Sequence, residues 1–280
     1  GGRGLIGARH LSGHFVILGH KADMAGFLAG ILRVNPTLPR EKVVVVSQPD
    51  ETLVEELRLA FPGVLFLRGD TVDPMAIQRA NVARASRVLV LSDEGVARSD
   101  QEKDARTVMA VMTVKNLAPE VYTCAEVIDS KYDEHLRLAK CDEVILSREY
   151  SRFLLVSATV SEGISKVLHE MLDLSDIHGL QTTQIPDAFV GRPFSELRAH
   201  MHESGRLLIG VLENTGRAIE IKRQALREAQ KTSFVNTLVD NLKRVKTMVP
   251  NRPVLNPPDD YAVPQGALAI VLGRGAAERA

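Results

Sequence analysis

The amino-acid sequence predicts an α/β protein: a Rossmann-like doubly wound parallel sheet, a crossover helix, and a smaller α+β carboxyl-terminal subdomain. Three observations carry this. Apolar runs of four or five residues, too short for helices, recur through residues 14–150 and alternate with helical periodicity. The first run, Phe15-Val16-Ile17-Leu18, stops at Gly19, and Met24, Phe27, Leu28, Ile31 and Leu32 follow at helical spacing. Past residue 150 the alternation gives way to a long apolar helical stretch and then to short strands with turn signals.

The opening strand, glycine turn and helix form the first unit of a nucleotide-binding fold. Glycine permits the tight connection, and the helix N-terminus offers N–H groups to an anion. A complete G-x-G-x-x-G would need glycine at Lys21 and Met24, whereas the chain has Gly19 and a later Gly26. A Pro-punctuated loop leads to a buried strand over 43–46. At its tip Ser47 stands where a dinucleotide-binding fold places an acid, and Asp50 reads as the cap of a helix over 51–60. Strands follow at 64–67, 88–91, 121–125 and 143–146. Between them, helices are expected over 74–80 with Met75, Ile77 and Ala80 inward, and over 99–116 with a stripe of Val108, Met109, Val111, Met112 and Val114. A further helix spans 132–139. Residues 153–172 read as one long helix whose apolar residues cover more than one face, so it requires a second packing partner. Beyond 178 the chain reads as strand 179–185, helix 195–202, strand 207–212, a hairpin signal at Asn214-Thr215-Gly216 with strand 218–221, and a last strand at 268–272. The charged amphipathic stretch 222–250 is expected to be a helical insertion.

Composition narrows the function. The 280 residues are comfortable for two domains, and 45% hydrophobic with 25% charged content fits a soluble globular chain. With 35 basic and 35 acidic residues the net charge is zero, which argues against a nucleic-acid partner. The two cysteines, Cys124 and Cys141, are too few for a zinc site or a disulfide framework, and a reducing cytoplasm is the default. No apolar run approaches the roughly 20 residues that span a bilayer. No Ser-His-Asp, metal-ligand or paired-carboxylate arrangement suggests catalysis. An NAD(P)-dependent oxidoreductase would require an intact glycine fingerprint and a catalytic His, Tyr or Lys in the second domain.

Several stretches together resemble the regulator-of-K⁺-conductance (RCK) module of ligand-gated potassium channels and of K⁺-uptake regulatory subunits. They are His14-Phe15-Val16-Ile17-Leu18-Gly19, Gly69-Asp70-Thr71 with Ala80-Asn81-Val82 and Ala85 to Val90, and Leu138-Ala139-Lys140-Cys141-Asp142-Glu143-Val144-Ile145. Farther on come Val190-Gly191-Arg192-Pro193-Phe194, Leu208-Ile209-Gly210-Val211 and Asn256-Pro257-Pro258-Asp259-Asp260-Tyr261. The longer segment from Ser92 to Thr107 is similar to the branch that includes multi-ligand bacterial channels and plant nuclear-envelope channels. The resemblance implies a cytosolic gating ring of eight such modules on the cytoplasmic face of the cell membrane, beneath a tetrameric pore. A crossover helix would pair neighbours into dimers. Residues 1–13 would be the linker from the pore domain, 14–150 the Rossmann-like lobe, 151–178 the dimerising crossover and 179–280 the carboxyl-terminal subdomain. A regulatory subunit of a K⁺-uptake transporter is the alternative within the family.

The candidate ligand site lies at the carboxyl ends of the parallel strands, where open α/β sheets bind ligands. For an adenine nucleotide such as NAD or ADP the expected contacts are Gly19, His20, Lys21, Ser47, Gly69, Asp70 and Ser92. For Ca²⁺, which takes about six to eight oxygen ligands, they are Asp93, Glu94, Asp100, Asp104, Glu126 and Asp129. The same acids read equally as helix caps without metal. The resemblance aligns Glu126 with a calcium-coordinating glutamate, but the second acid of that pair falls on Ile128.

Overall fold

The computed structural model describes residues 8–96, 99–172, 179–216, 218–229, 243, 245 and 248–273. The chain divides into two compact units, Gly1–Val156 and Ser157–Ala280. The first is the expected doubly wound lobe. Its strands β1 (Phe15–Leu18), β2 (Val43–Ser47), β3 (Leu65–Arg68), β4 (Arg87–Val90), β5 (Tyr122–Val127) and β6 (Glu143–Leu146) form a parallel sheet in the order β3-β2-β1-β4-β5-β6. Such strands are buried on both faces, which is why they read as unbroken apolar runs. On one face α1 (Met24–Val34) and α2 (Glu51–Ala60) pack over Ile17, Val43, Val45 and Phe66. On the other α3 (Pro74–Arg79), α4 (Asp100–Leu117) and α5 (Asp133–Leu138) cover Val16, Leu18, Val88, Val90 and Ala125.

Helix starts follow their caps. Asp50 accepts the Thr52 amide at 2.8 Å, and Ser99 accepts the Glu102 amide at 3.1 Å. The expected apolar stripes hold at Ile77, Ala80, Val111 and Val114, which are buried, and fail at the methionines. On α4 the buried set is Asp104, Thr107, Ala110, Val111, Val114 and Lys115, whereas Met109 and Met112 are more than half exposed. On α3, Ala76 and Ile77 face the core and Met75 faces outward. Smaller residues sit where each helix approaches the sheet, so hydrophobicity alone misplaced Met75, Met109 and Met112.

The stretch 153–172 is not one helix. It forms α6 (Ser147–Ala158) and α7 (Ile164–Leu172), separated at a turn where Gly163 has φ +78°. Its apolar residues are nonetheless solvent-facing: Phe153, Leu154, Leu155, Val156, Val160 and Val167 are all exposed.

In the second unit, β7 (Leu180–Gln184), β8 (Leu207–Glu213), β9 (Arg252–Leu255) and β10 (Leu268–Leu272) make an antiparallel sheet in the order β7-β10-β8-β9. Helix α8 (Phe194–Glu203) packs Phe194, Leu197 and Met201 against Leu208, Val211, Ala269 and Val271. The strand expected at 218–221 is instead the start of helix α9 (Ala218–Ala229). The partner of β8 on that side is β9, an unforeseen strand, and Gly210 is required there: a Cβ would lie 2.3 Å from the Val254 carbonyl oxygen. Of the expected insertion and linker, residues 230–242, 244, 246–247 and 1–7 lie outside the described residues.

Candidate ligand site at the switch point of the sheet

Strand β1 has β2 on one side and β4 on the other, so the loops leaving β1 and β4 diverge and open a crevice at their carboxyl ends. Gly19 makes the turn with φ +111°, and a Cβ there would lie 3.1 Å from the Leu91 side chain and 3.2 Å from its carbonyl oxygen. The β1–α1 and β4–α4 loops are then clipped together. The Glu94 amide donates to the His20 carbonyl at 2.9 Å, and the Glu94 carboxylate accepts the Ala22 amide at 2.7 Å. Lys21 lies between two glutamates, its Nζ 2.7 Å from Glu126 Oε2 and 3.4 Å from Glu94 Oε1. Glu126 also accepts the Ser92 amide at 3.1 Å. Asp23 caps α1 by accepting the Gly26 amide at 2.9 Å, and glycine is needed at 26 because a Cβ would lie 2.2 Å from the Asp23 carboxylate.

This arrangement sets the charge of the crevice. Burial pushes the Glu94 carboxyl upward, but the Ala22 amide and the Lys21 ammonium outweigh it and hold it below its usual value. His20 is buried and its pKa is lowered by desolvation, against the pull of Asp93 and Glu94. Two buried atoms at the crevice, His20 Nδ1 and Ser92 Oγ, have no hydrogen-bond partner among the described residues. A shallow groove of about 660 Å³ borders it, lined by Lys21, Asp23, Gly26, Phe27, Gly30 and Glu94 among others.

The expected nucleotide contacts divide into two places. Gly19, His20, Lys21 and Ser92 gather at the crevice. Ser47, Gly69 and Asp70 sit at the tips of β2 and β3, where the Gly69 amide donates to the Ser47 carbonyl at 3.0 Å. There Asp70 accepts the Val72 amide at 3.0 Å and pairs with Arg106, whose Nε is another buried atom without a partner among the described residues. The acids expected to hold Ca²⁺ divide into three. Asp93, Glu94 and Glu126 are at the crevice, with Asp93 accepting the Gly95 amide at 2.9 Å. Asp104 is buried beneath the turn after β5 and accepts the Ile128 and Asp129 amides at 2.8 and 2.9 Å, while Asp129 accepts the Lys131 amide at 3.0 Å. Asp100 pairs with Arg148 at the start of α4. Among the described residues no three His, Cys, Asp or Glu side chains are grouped to hold a metal ion. Cys124 and Cys141 are free thiols pushed up to about 12 by burial, so neither is a thiolate at neutral pH.

Sequence reasoning placed Lys21, Glu94 and Glu126 at one edge but missed that they meet. They are separated by 73 and 105 residues along the chain, and no local spacing encodes such a pairing. The Asp23 cap was also missed, although an acid just ahead of a helical stretch is a signal for it.

Fold and site together define a doubly wound lobe whose glycine loop is bonded to the Glu94 carboxylate of the β4–α4 loop. Residues 10–125 match the family model described as the calcium-activated potassium channel slowpoke-like RCK domain. YugO of Bacillus subtilis (strain 168), a potassium channel protein by name, is 25% identical over 204 residues, covering 72% of this chain and 59% of its own length. The calcium-gated potassium channel TvoK of Thermoplasma volcanium is 25% identical over 165 residues, covering 59% of this chain and 45% of its own. The human SLO3 gating ring shares the fold with a TM-score of 0.61 at 13% identity, over 94% of this chain and 44% of that one. The chain thus spans about half the length of these relatives. Residues 10–125 match the Slo-like RCK domain, and the chain is similar to potassium channel proteins over part of their length.

Proposed function

We propose that this chain is the ligand-responsive regulatory module of a potassium channel, working at the cytoplasmic face of the cell membrane and coupled to a pore domain. The RCK match over residues 10–125 carries this reading. No helix among the described residues is long and apolar enough to cross a membrane, so the pore would belong to another segment or chain. The exposed apolar residues of α6 and α7 support association of copies into a dimer, and of dimers into a ring of eight modules. In this scheme residues 1–13 link to the pore, 14–150 form the lobe, 151–178 the dimerising crossover and 179–280 the carboxyl-terminal subdomain.

The ligand classes are an adenine nucleotide, NAD or ADP, and Ca²⁺. The nucleotide would take the crevice of Gly19, His20, Lys21 and Ser92. Ca²⁺ would draw on the acids at the crevice, Asp93, Glu94 and Glu126, and would have to bring them together, since among the described residues no three are grouped to hold a metal ion. A Ca²⁺-gated relative in TvoK supports the second class. The module works by binding rather than by chemistry: a ligand held unequally by two ring conformations shifts their populations. Light scattering on the purified chain, with and without Ca²⁺, ADP and NAD, tests this. The expected result is an oligomer whose size or melting temperature changes with at least one of them. A monomer at every concentration, unmoved by all three, would refute it.

A further inference from the structure

The β1–α1 loop presents what an anion requires: the Ala22 N–H just ahead of the Asp23 cap of an eleven-residue helix, a lysine and a tight glycine turn. That position is already filled from within. Glu94 Oε2 receives the Ala22 amide at 2.7 Å, as a phosphate oxygen would, and the other Glu94 oxygen lies 3.4 Å from Lys21 Nζ. Charge-assisted bonds of this kind are short and about twice as strong as neutral ones. Because the carboxylate is tethered to the same loop cluster, any external anion competes with a partner held at high effective concentration. Beside it the buried His20 Nδ1 and Ser92 Oγ lack partners among the described residues, and the groove along α1 leaves room next to Lys21.

We infer that Glu94 is a built-in competitor for the phosphate cradle, a latch that holds the crevice closed until it leaves Ala22 and Lys21. This rests on the nucleotide reading above and adds the residue that sets its threshold. With the latch closed, Lys21 is neutralised by Glu94 and Glu126. With it open, the Ala22 amide and the Lys21 ammonium face the groove together, and a pyrophosphate group satisfies both. Glu126 remains bonded to the Ser92 amide in either case, so the β4 end of the crevice keeps its shape.

The test is calorimetric titration of inorganic pyrophosphate and of ADP into the full 280-residue chain and into its Glu94→Gln, Glu94→Ala and Glu94→Ala/Lys21→Ala variants. Glu94→Ala is expected to bind both probes at least tenfold more tightly than the unaltered chain, and the double variant to lose that gain. Glu94→Gln removes the charge while leaving an oxygen for Ala22, so it should show a smaller gain, and it decides the matter if Glu94→Ala does not fold. Affinities within twofold of the unaltered chain, or no binding by any variant, would overturn the latch. The ratio of affinities is read whether or not copies associate. A gain without any change in oligomer size would therefore leave the latch standing and count only against the ring reading.

Discussion

Two carboxylates at the same edge of the same sheet meet opposite fates. Glu94 is partly exposed, accepts one amide and faces an ammonium, and its carboxyl is held below the usual value. Asp104 is wholly buried and accepts two amides, yet desolvation prevails and its carboxyl is pushed up. Two amides do not overcome full burial beside Asp129 and Asp100, whereas one amide together with the Lys21 ammonium overcomes the smaller desolvation at the crevice. The first carboxylate can be exchanged for another anion. The second belongs to the frame that shapes the turn after β5.

The largest expected effect belongs to the frame. Asp104→Ala leaves the Ile128 and Asp129 amides without their acceptor and should cost about 3 kcal/mol in urea unfolding. Next comes α4, where Val111 is buried and Met112 is exposed. Val111→Ala should cost about 2 kcal/mol through the cavity it leaves, while Met112→Ala on the same helix should stay within about 0.5 kcal/mol. Equal costs would mean that Met112 is covered in solution, as on a subunit interface. Lys21→Ala should cost about 1 kcal/mol, since Glu94 and Glu126 then face each other with the intervening charge gone. A double-mutant cycle with Glu94→Gln should show coupling rather than additivity.

The smallest effect is the sharpest in sign. The lowered carboxyl of Glu94 contributes stability that is present above its unfolded value near 4.5 and is lost as pH falls through the folded one. The raised carboxyl of Asp104 does the reverse: its contribution is full below about 3.8 and is lost as pH rises through the folded value. Unfolding measured from pH 3 to 7 should therefore show the deficit of Glu94→Gln growing with pH and that of Asp104→Asn shrinking. Parallel trends would show that the two sites do not differ as described.

Most of the first unit was legible because its central strands β1 and β2 are buried on both faces and the apolar runs are interrupted by glycine or capped helices. The errors have physical causes. Met109 and Met112 look like core, but the close approach of α4 to the sheet selects Ala110 and Val111. Ala218 to Ile221 alternates like a strand, and only the helical spacing of Ile221 and Ala225 beyond it reveals α9. Strand β9 is an edge strand carrying Pro253, a residue that argues against a strand unless the position lies at the rim of a sheet. At the site, the topology rule placed Lys21, Glu94 and Glu126 at one edge of the sheet. Their pairing depends on where two loops from distant strands come to rest, and no local pattern records that.

The central claim is most directly tested at one amide. Site-resolved hydrogen exchange at Ala22 should show protection in the unaltered chain, rapid exchange in Glu94→Ala, and protection restored when pyrophosphate is added. Protection that survives removal of Glu94 without any anion would contradict the claim that this carboxylate occupies the cradle.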